Sequence, residues 1–164
     1  MEEGENNAGL NEMQQMAEEP RKIRYTLRKG EKLRHRSLVD PLFKEGNSLY
    51  EFPLRLVWRR IDKEKLEATF CDHVPERIDG VQMLITVPKK KRRHAVDRVL
   101  MRRRIREAYR LNRHELLDAV SEREENGTLS LAFIYIHDKN LPYETIDRKI
   151  KLLLKKLCSK VQLS

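Results

Sequence analysis

A chain of 164 residues with 35 Lys and Arg against 26 Asp and Glu carries a formal charge of +9, and its 39% hydrophobic content suffices for one modest core. The longest unbroken apolar run, Leu131 to Ile136, has six residues, far short of the roughly 20 that cross a bilayer, and the N-terminus lacks the basic and apolar regions of a secretory signal. A cytoplasmic protein without a membrane partner is expected; a reducing compartment keeps Cys71 and Cys158 as packing thiols.

Residues 1–20 hold six acids and no base. Such a composition cannot bury enough surface to offset its ordering entropy, which predicts an acidic disordered tail, crossed at most by a transient helix through Leu10, Met13 and Met16. A single domain over 21–164 follows. Its 144 residues set 35 bases against 20 acids, a charge of +15.

In chain order, Arg21 to Arg36 is basic, with Leu27 and Leu33 as apolar anchors. Ser37 to Glu45 reads as a short helix stopped at Gly46. Proline is comfortable only in a first turn, so either Ser37 caps with Pro41 tolerated at the edge, or Asp40 caps and Pro41 is the first residue. Phe52, Leu54, Leu56 and Trp58 alternate with Pro53, Arg55, Val57 and Arg59, the period of a strand with one buried face. Leu66, Ala68 and Phe70 suggest a second strand and Val81 to Val87 a third, with Pro75, Asp79 and Gly80 in the loop between them.

The period then becomes helical from Ala95 to Val120. Leu100, Met101, Ile105, Ala108, Leu111 and Leu116 fall on one arc, and Arg98, Arg102, Arg103, Arg106, Arg110 and Arg113 on the other. Ser121 to Thr128 is a loop, Leu129 to Ile136 a fourth strand and Tyr143 to Lys160 a final helix. The order α-β-β-β-α-β-α predicts an α+β two-layer sandwich.

Between Lys89 and Arg113 lie twelve bases and two acids. A solvated helix face normally interleaves acids at i, i+4, because each like-charged pair costs the isolated helix about 0.2–0.5 kcal/mol. The ladder Arg98, Arg102, Arg106, Arg110 lacks that relief, so a polyanion is the expected partner. Arginine serves DNA and RNA alike, as a phosphate fork and as a stacking plane, and composition does not separate them. Lys89 to Arg93 lies between a strand and a helix, where a phosphate-binding loop fits better than a free localisation tag.

Other chemistry finds little support. The five histidines are dispersed, and Cys71 with His73 lacks the second pair of a zinc site. There is no glycine-rich phosphate cradle. Asp72, Glu76, Asp79 and Glu107 are isolated acids on a charged surface, and Ser37 and Ser130 have no base partner, so no catalytic residue and no metal site is expected.

The segment Val87 to Arg110 (VPKKKRRHAVDRVLMRRRIREAYR) closely resembles the signature of the bacterial ribonuclease P protein component family. The matching positions are Pro88, Lys89, Lys90, Ala95, Arg98, Arg102, Arg103, Arg106, Glu107, Ala108, Tyr109 and Arg110. Lys32-Leu33-Arg34, Leu42 to Gly46 and Phe52 to Leu56 look like the family's first helix and first strand. Val99 and Leu100 stand where the family has Asn and Arg, and Val39 stands where an aromatic is common.

The resemblance, over about residues 25–160, implies a ribosomal-protein-S5-domain-2-like fold with a left-handed βαβ crossover, contrary to the general handedness rule. It implies the protein subunit of a ribonucleoprotein endonuclease that removes the 5′ leader of precursor tRNA. The catalytic RNA subunit, binding most of the Mg²⁺, performs the hydrolysis, and no protein partner is obligatory. Lys89, Lys90, Lys91, Arg92, Arg93, Arg98, Arg102, Arg103, Arg106 and Arg110 would face the RNA subunit. Phe43, Lys44, Arg55 and Trp58 would meet the leader, whose unpaired bases stack on aromatic rings; for Phe43 and, with equal weight, for Trp58 the alternative is ordinary core packing. A structural RNA-binding or ribosome-associated protein without a role in cleavage is the alternative.

Overall fold

The computed structural model describes residues 22–71, 73–122 and 127–163. The tail expected over 1–20, Asp72 and the middle of the loop expected over 121–128 lie outside the described residues. After an irregular stretch and a 3-10 turn at Lys29–Glu31 come α1 (Arg36–Glu45), β1 (Asn47–Glu51), β2 (Leu54–Ile61), α2 (Lys63–Thr69), β3 (Val81–Thr86), α3 (Ala95–Asn112), α4 (His114–Ser121), β4 (Thr128–Tyr135) and α5 (Tyr143–Leu163). The strands form one sheet in the order β1-β2-β4-β3, antiparallel except for the β3–β4 pair, which α3 and α4 connect as a crossover. The architecture is the expected α+β one.

Alternation along the strands creates two cores. Leu54, Leu56 and Trp58 of β2, Val81 and Met83 of β3, and Leu129, Leu131, Phe133 and Tyr135 of β4 meet α3, α4 and α5 on one face. Val57, Ile61 and Ala132 point the other way and meet Leu33, Leu38, Leu42 and Leu66. β4 lies inside the sheet with apolar contacts on both faces, which explains its near-continuous hydrophobic run.

Three expectations are corrected. The run Leu66, Ala68, Phe70 is no strand: Lys63–Thr69 is α2, with Asp62 at its N-cap. Lys, Glu, Leu and Ala favour helix, and Leu66 and Phe70 are also i, i+4 neighbours on a helix, so three apolar residues were too few to set the period. The missing partner of β2 is instead β1, which turns into it at Phe52–Pro53. The helix expected over 95–120 breaks at Arg113 into α3 and α4. Finally, neither Ser37 nor Asp40 is the cap of α1; His35 is, and Pro41 sits inside the helix. An interior proline costs about 3 kcal/mol, comparable to what complete burial of Leu38 and Leu42 contributes at roughly 1.5–3 kcal/mol each. Gly46, which follows α1, is a close-approach glycine: a Cβ there would lie 2.2 Å from Leu42 O and 2.8 Å from Val57 Cγ1.

The break at Arg113 coincides with a buried ion pair. Arg113, 2% exposed, turns inward to pair with Glu31, which is also buried. Nη2 of Arg113 donates to Arg24 O at 3.2 Å and to Thr26 O at 2.9 Å, and the other carboxylate oxygen of Glu31 accepts the Arg28 N–H at 2.6 Å. Gly30 O accepts from Gln82 Nε2 at 2.7 Å, and Leu33 N–H donates to Met83 O at 2.9 Å, which ties the same stretch to β3. Breaking one partner of a buried pair strands the other charge, so Glu31→Gln should lower stability by about 3–5 kcal/mol. The paired replacement Glu31→Leu with Arg113→Met should recover a large part of that deficit in urea unfolding. Equal destabilisation by the two variants would show that the charge pair is not what holds this junction.

Candidate nucleic-acid interface

The basic loop and α3 form one surface at the β3 edge. Pro88 O accepts the N–H groups of Lys91 and Arg92, both at 3.0 Å, which folds the loop into a turn. Arg98 Nη1 donates to Arg92 O at 2.9 Å and to Arg93 O at 2.6 Å, binding the loop to the first turns of α3. Arg92 pairs with Asp97 at 2.8 Å and reaches the carbonyl of Asp138. Arg92 and Arg98 therefore shape the loop, while Lys89, Lys90, Lys91 and Arg93 project from it, exposed.

On α3, Met101, Ile105, Ala108 and Tyr109 are buried. Leu111, expected in the core arc, is 39% exposed, and Tyr109 takes an interior position instead. Its hydroxyl has no hydrogen-bond partner among the described residues, and burial pushes its phenol well above the ordinary range. Arg103 and Arg106 are exposed and Arg102 half-buried on the outward flank, with no ion-pair partner among the described residues. Arg110 is committed internally: it holds Glu107 at 2.9 Å and donates to Tyr25 O at 3.1 Å, and its guanidinium holds the Glu107 carboxyl below the usual carboxylate range. Arg113 of the expected arginine arc is buried and belongs to the core. Val99 is 38% exposed amid the arginines, whereas Leu100 is half-buried on the opposite flank.

A second exposed surface lies on the sheet face that α1 only partly covers. Glu45 pairs with Arg59 at 2.9 Å. Phe43, about 100° around the helix from the buried Leu42, is exposed at the C-terminal end of α1. Arg55 and Tyr50 lie opposite one another on β2 and β1. There Arg55 Nη2 donates to Ser48 Oγ at 3.0 Å, and its guanidinium lies 5.4 Å from the centroid of the Tyr50 ring. Tyr50 is 58% exposed, and Phe43 and Lys44 are exposed as well, Lys44 about 100° around α1 from Phe43.

Trp58 does not join this group. It is 8% exposed and packs in the core beneath α3 and α5, because residues 55 and 58 differ in parity along β2 and point to opposite faces. Tyr50 was missed by sequence reasoning because β1, NSLYE, carries too few apolar residues to declare a strand; its signal was a lone aromatic beside a strand start. Among the described residues, no three His, Cys, Asp or Glu side chains converge as metal ligands, and no helix is long and apolar enough to cross a membrane.

Comparison with known proteins gives one family. Residues 27–158 match the family model described as Ribonuclease P. The chain is 33% identical over 137 residues to the ribonuclease P protein component of Porphyromonas gingivalis strain W83, covering 84% of this chain and 90% of that protein. It is 34% identical over 134 residues to the ribonuclease P protein component of Chlorobium phaeobacteroides, covering 79% and 86%. In fold it is similar to the solved RNase P protein of Staphylococcus aureus, with a TM-score of 0.54 at 17% identity over 79% of this chain and 96% of that one.

The outward arginines generate a direct test. Arg102→Ala with Arg106→Ala should weaken binding to a folded RNA and lower the log-affinity against log-salt slope by about 0.7–0.9 for each phosphate that the protein no longer neutralises. Filter-binding titrations between low and moderate salt would read it, and an unchanged slope would place this flank away from the nucleic acid.

Proposed function

Because the chain belongs to the family of bacterial ribonuclease P protein components and is the protein subunit serving tRNA 5′ processing, we propose that its loop and α3 dock the catalytic RNA subunit while the open sheet face holds the 5′ leader of precursor tRNA. The observation that carries this reading is the placement of two chemically different exposed surfaces on one sheet-and-helix frame. The 88–94 loop and outward flank of α3 offer exposed cations in a row, suited to phosphates whose positions a folded RNA has already set. The sheet face offers rings and one arginine plane, suited to unpaired bases that can lie flat against them.

On this reading Lys89, Lys90, Lys91, Arg93, Arg102, Arg103 and Arg106 touch phosphate, and Arg92, Arg98 and Arg110 hold the loop, helix and N-terminal stretch in the shape that presents them. Phe43, Arg55 and Tyr50 form the leader platform, with Lys44 near the phosphates. Ser48 fixes the Arg55 guanidinium beside Tyr50, so a base stacking there would meet a plane whose orientation is already set. Hydrolysis of the phosphodiester bond belongs to the RNA subunit, where Mg²⁺ supplies charge neutralisation and activated water. On this reading the protein contributes affinity and placement of the leader. The compartment is the cytoplasm, where precursor tRNA is matured.

Combining the protein with the RNA subunit at low Mg²⁺ should accelerate cleavage of precursor tRNA; binding to ribosomal RNA alone, or no preference over duplex DNA, would defeat the reading. Within the complex, Arg55→Ala or Tyr50→Ala should weaken binding of leader-bearing precursor by about 1–3 kcal/mol, the worth of one stacked base, and leave mature tRNA affinity unchanged. Equal weakening of both RNAs would place the leader elsewhere.

A further inference from the structure

Residues 22–28 form neither helix nor strand, yet they are fastened along the α3–α4 junction. Arg110 Nη1 donates to Tyr25 O at 3.1 Å, and Arg113 Nη2 donates to the carbonyls on either side, Arg24 O at 3.2 Å and Thr26 O at 2.9 Å. The Tyr25 ring meets His114 edge-on with centroids 4.9 Å apart. Glu31 closes the far end by accepting the Arg28 N–H at 2.6 Å while it pairs with Arg113.

Apart from that ring, the polar fastening points of residues 22–28 are backbone atoms. The side chains of Lys22, Arg24 and Arg28 are left exposed, with no ion-pair partner among the described residues. The exchange matters for the charge surface of α3. Arg113 is buried and Arg110 is turned onto Tyr25 O, so the C-terminal end of the arginine row offers less charge to an outside anion than its sequence suggests. The segment that these two arginines hold carries three exposed bases into the same place. Arg24 and Arg28 stand one and three residues from the carbonyl held by Arg110.

We propose that residues 22–28 are a clamped basic strap that prolongs the phosphate-binding face of α3, presenting Lys22, Arg24 and Arg28 to the same folded RNA that Arg102, Arg103 and Arg106 meet. The proposal rests on the assignment of α3 to the RNA subunit. A rigid row suits a structured RNA because the cations are positioned before binding, whereas a free basic arm would surrender its chain entropy on complex formation.

The test uses the full chain and the RNA subunit of the same ribonucleoprotein, with affinity measured from about 50 to 200 mM salt. The triple variant Lys22→Ala, Arg24→Ala, Arg28→Ala leaves the backbone clamp intact and should unfold at the parent temperature. Its slope should fall by about 0.7–0.9 for each phosphate set free, so that the affinity change across this salt range shrinks about threefold for each one. An unchanged slope here, with a reduced slope in the Arg102→Ala, Arg106→Ala variant, overturns the strap and leaves the α3 assignment standing. Unchanged slopes in both variants overturn the assignment itself.

Discussion

The buried pairing of Arg113 with Glu31 is the constraint around which the rest of the molecule is arranged. A guanidinium and a carboxylate taken out of water must find partners for their polar atoms or forfeit several kcal/mol each, and these two recruit backbone from the N-terminal stretch. Arg113 reaches the carbonyls of residues 24 and 26, and Glu31 caps the N–H of Arg28. The helix breaks at the same residue, α3 ending at Asn112 and α4 beginning at His114. The stretch through Gly30 to Leu33 is simultaneously tied to β3. One pair therefore relates the N-terminal stretch, the arginine helix and the edge of the sheet.

The arginines divide by what lies within reach of their forks. A guanidinium has five donors in a fixed plane, and where a carbonyl or carboxylate of the protein lies beside it, as for Arg92, Arg98, Arg104, Arg110 and Arg113, it becomes a structural strut. Arg102, Arg103 and Arg106 have no such acceptor among the described residues, and their mutual repulsion persists until an anion arrives. The helix consequently has a like-charge pattern that is unfavourable alone, which accords with the proposed docking of RNA on this flank.

Legibility in the sequence followed the strength of the period. α5, β2, β3, β4 and the Met101, Ile105 and Ala108 positions of the α3 core stripe are read directly, because each repeats its apolar residues over enough turns or alternations to select one geometry. α2 and β1 are not: seven residues with Leu66 as the one buried apolar anchor, and five with a single apolar pair, leave helix and strand undecided until neighbours supply partners. The face on which a strand residue lies is legible by parity, which sets Trp58 opposite Arg55 and on the core side of β2. The basic loop was legible as charge. That Arg92 and Arg98 brace it while the lysines project was not, since their acceptors are the Asp138 carbonyl in one case and the loop's own backbone in the other.

The amino-acid sequence alone determined the α+β class, the basic partner surface and the family, because these depend on composition, short-range period and a contiguous motif. Only the tertiary structure decided which arginines are free to bind and which brace, and that the N-terminal stretch lies along α3. Those outcomes turn on residues brought together from 82 and 85 positions apart, Arg113 with Glu31 and Arg110 with Tyr25. No local period carries that information: it arises only when buried polar groups must satisfy one another in a closed core.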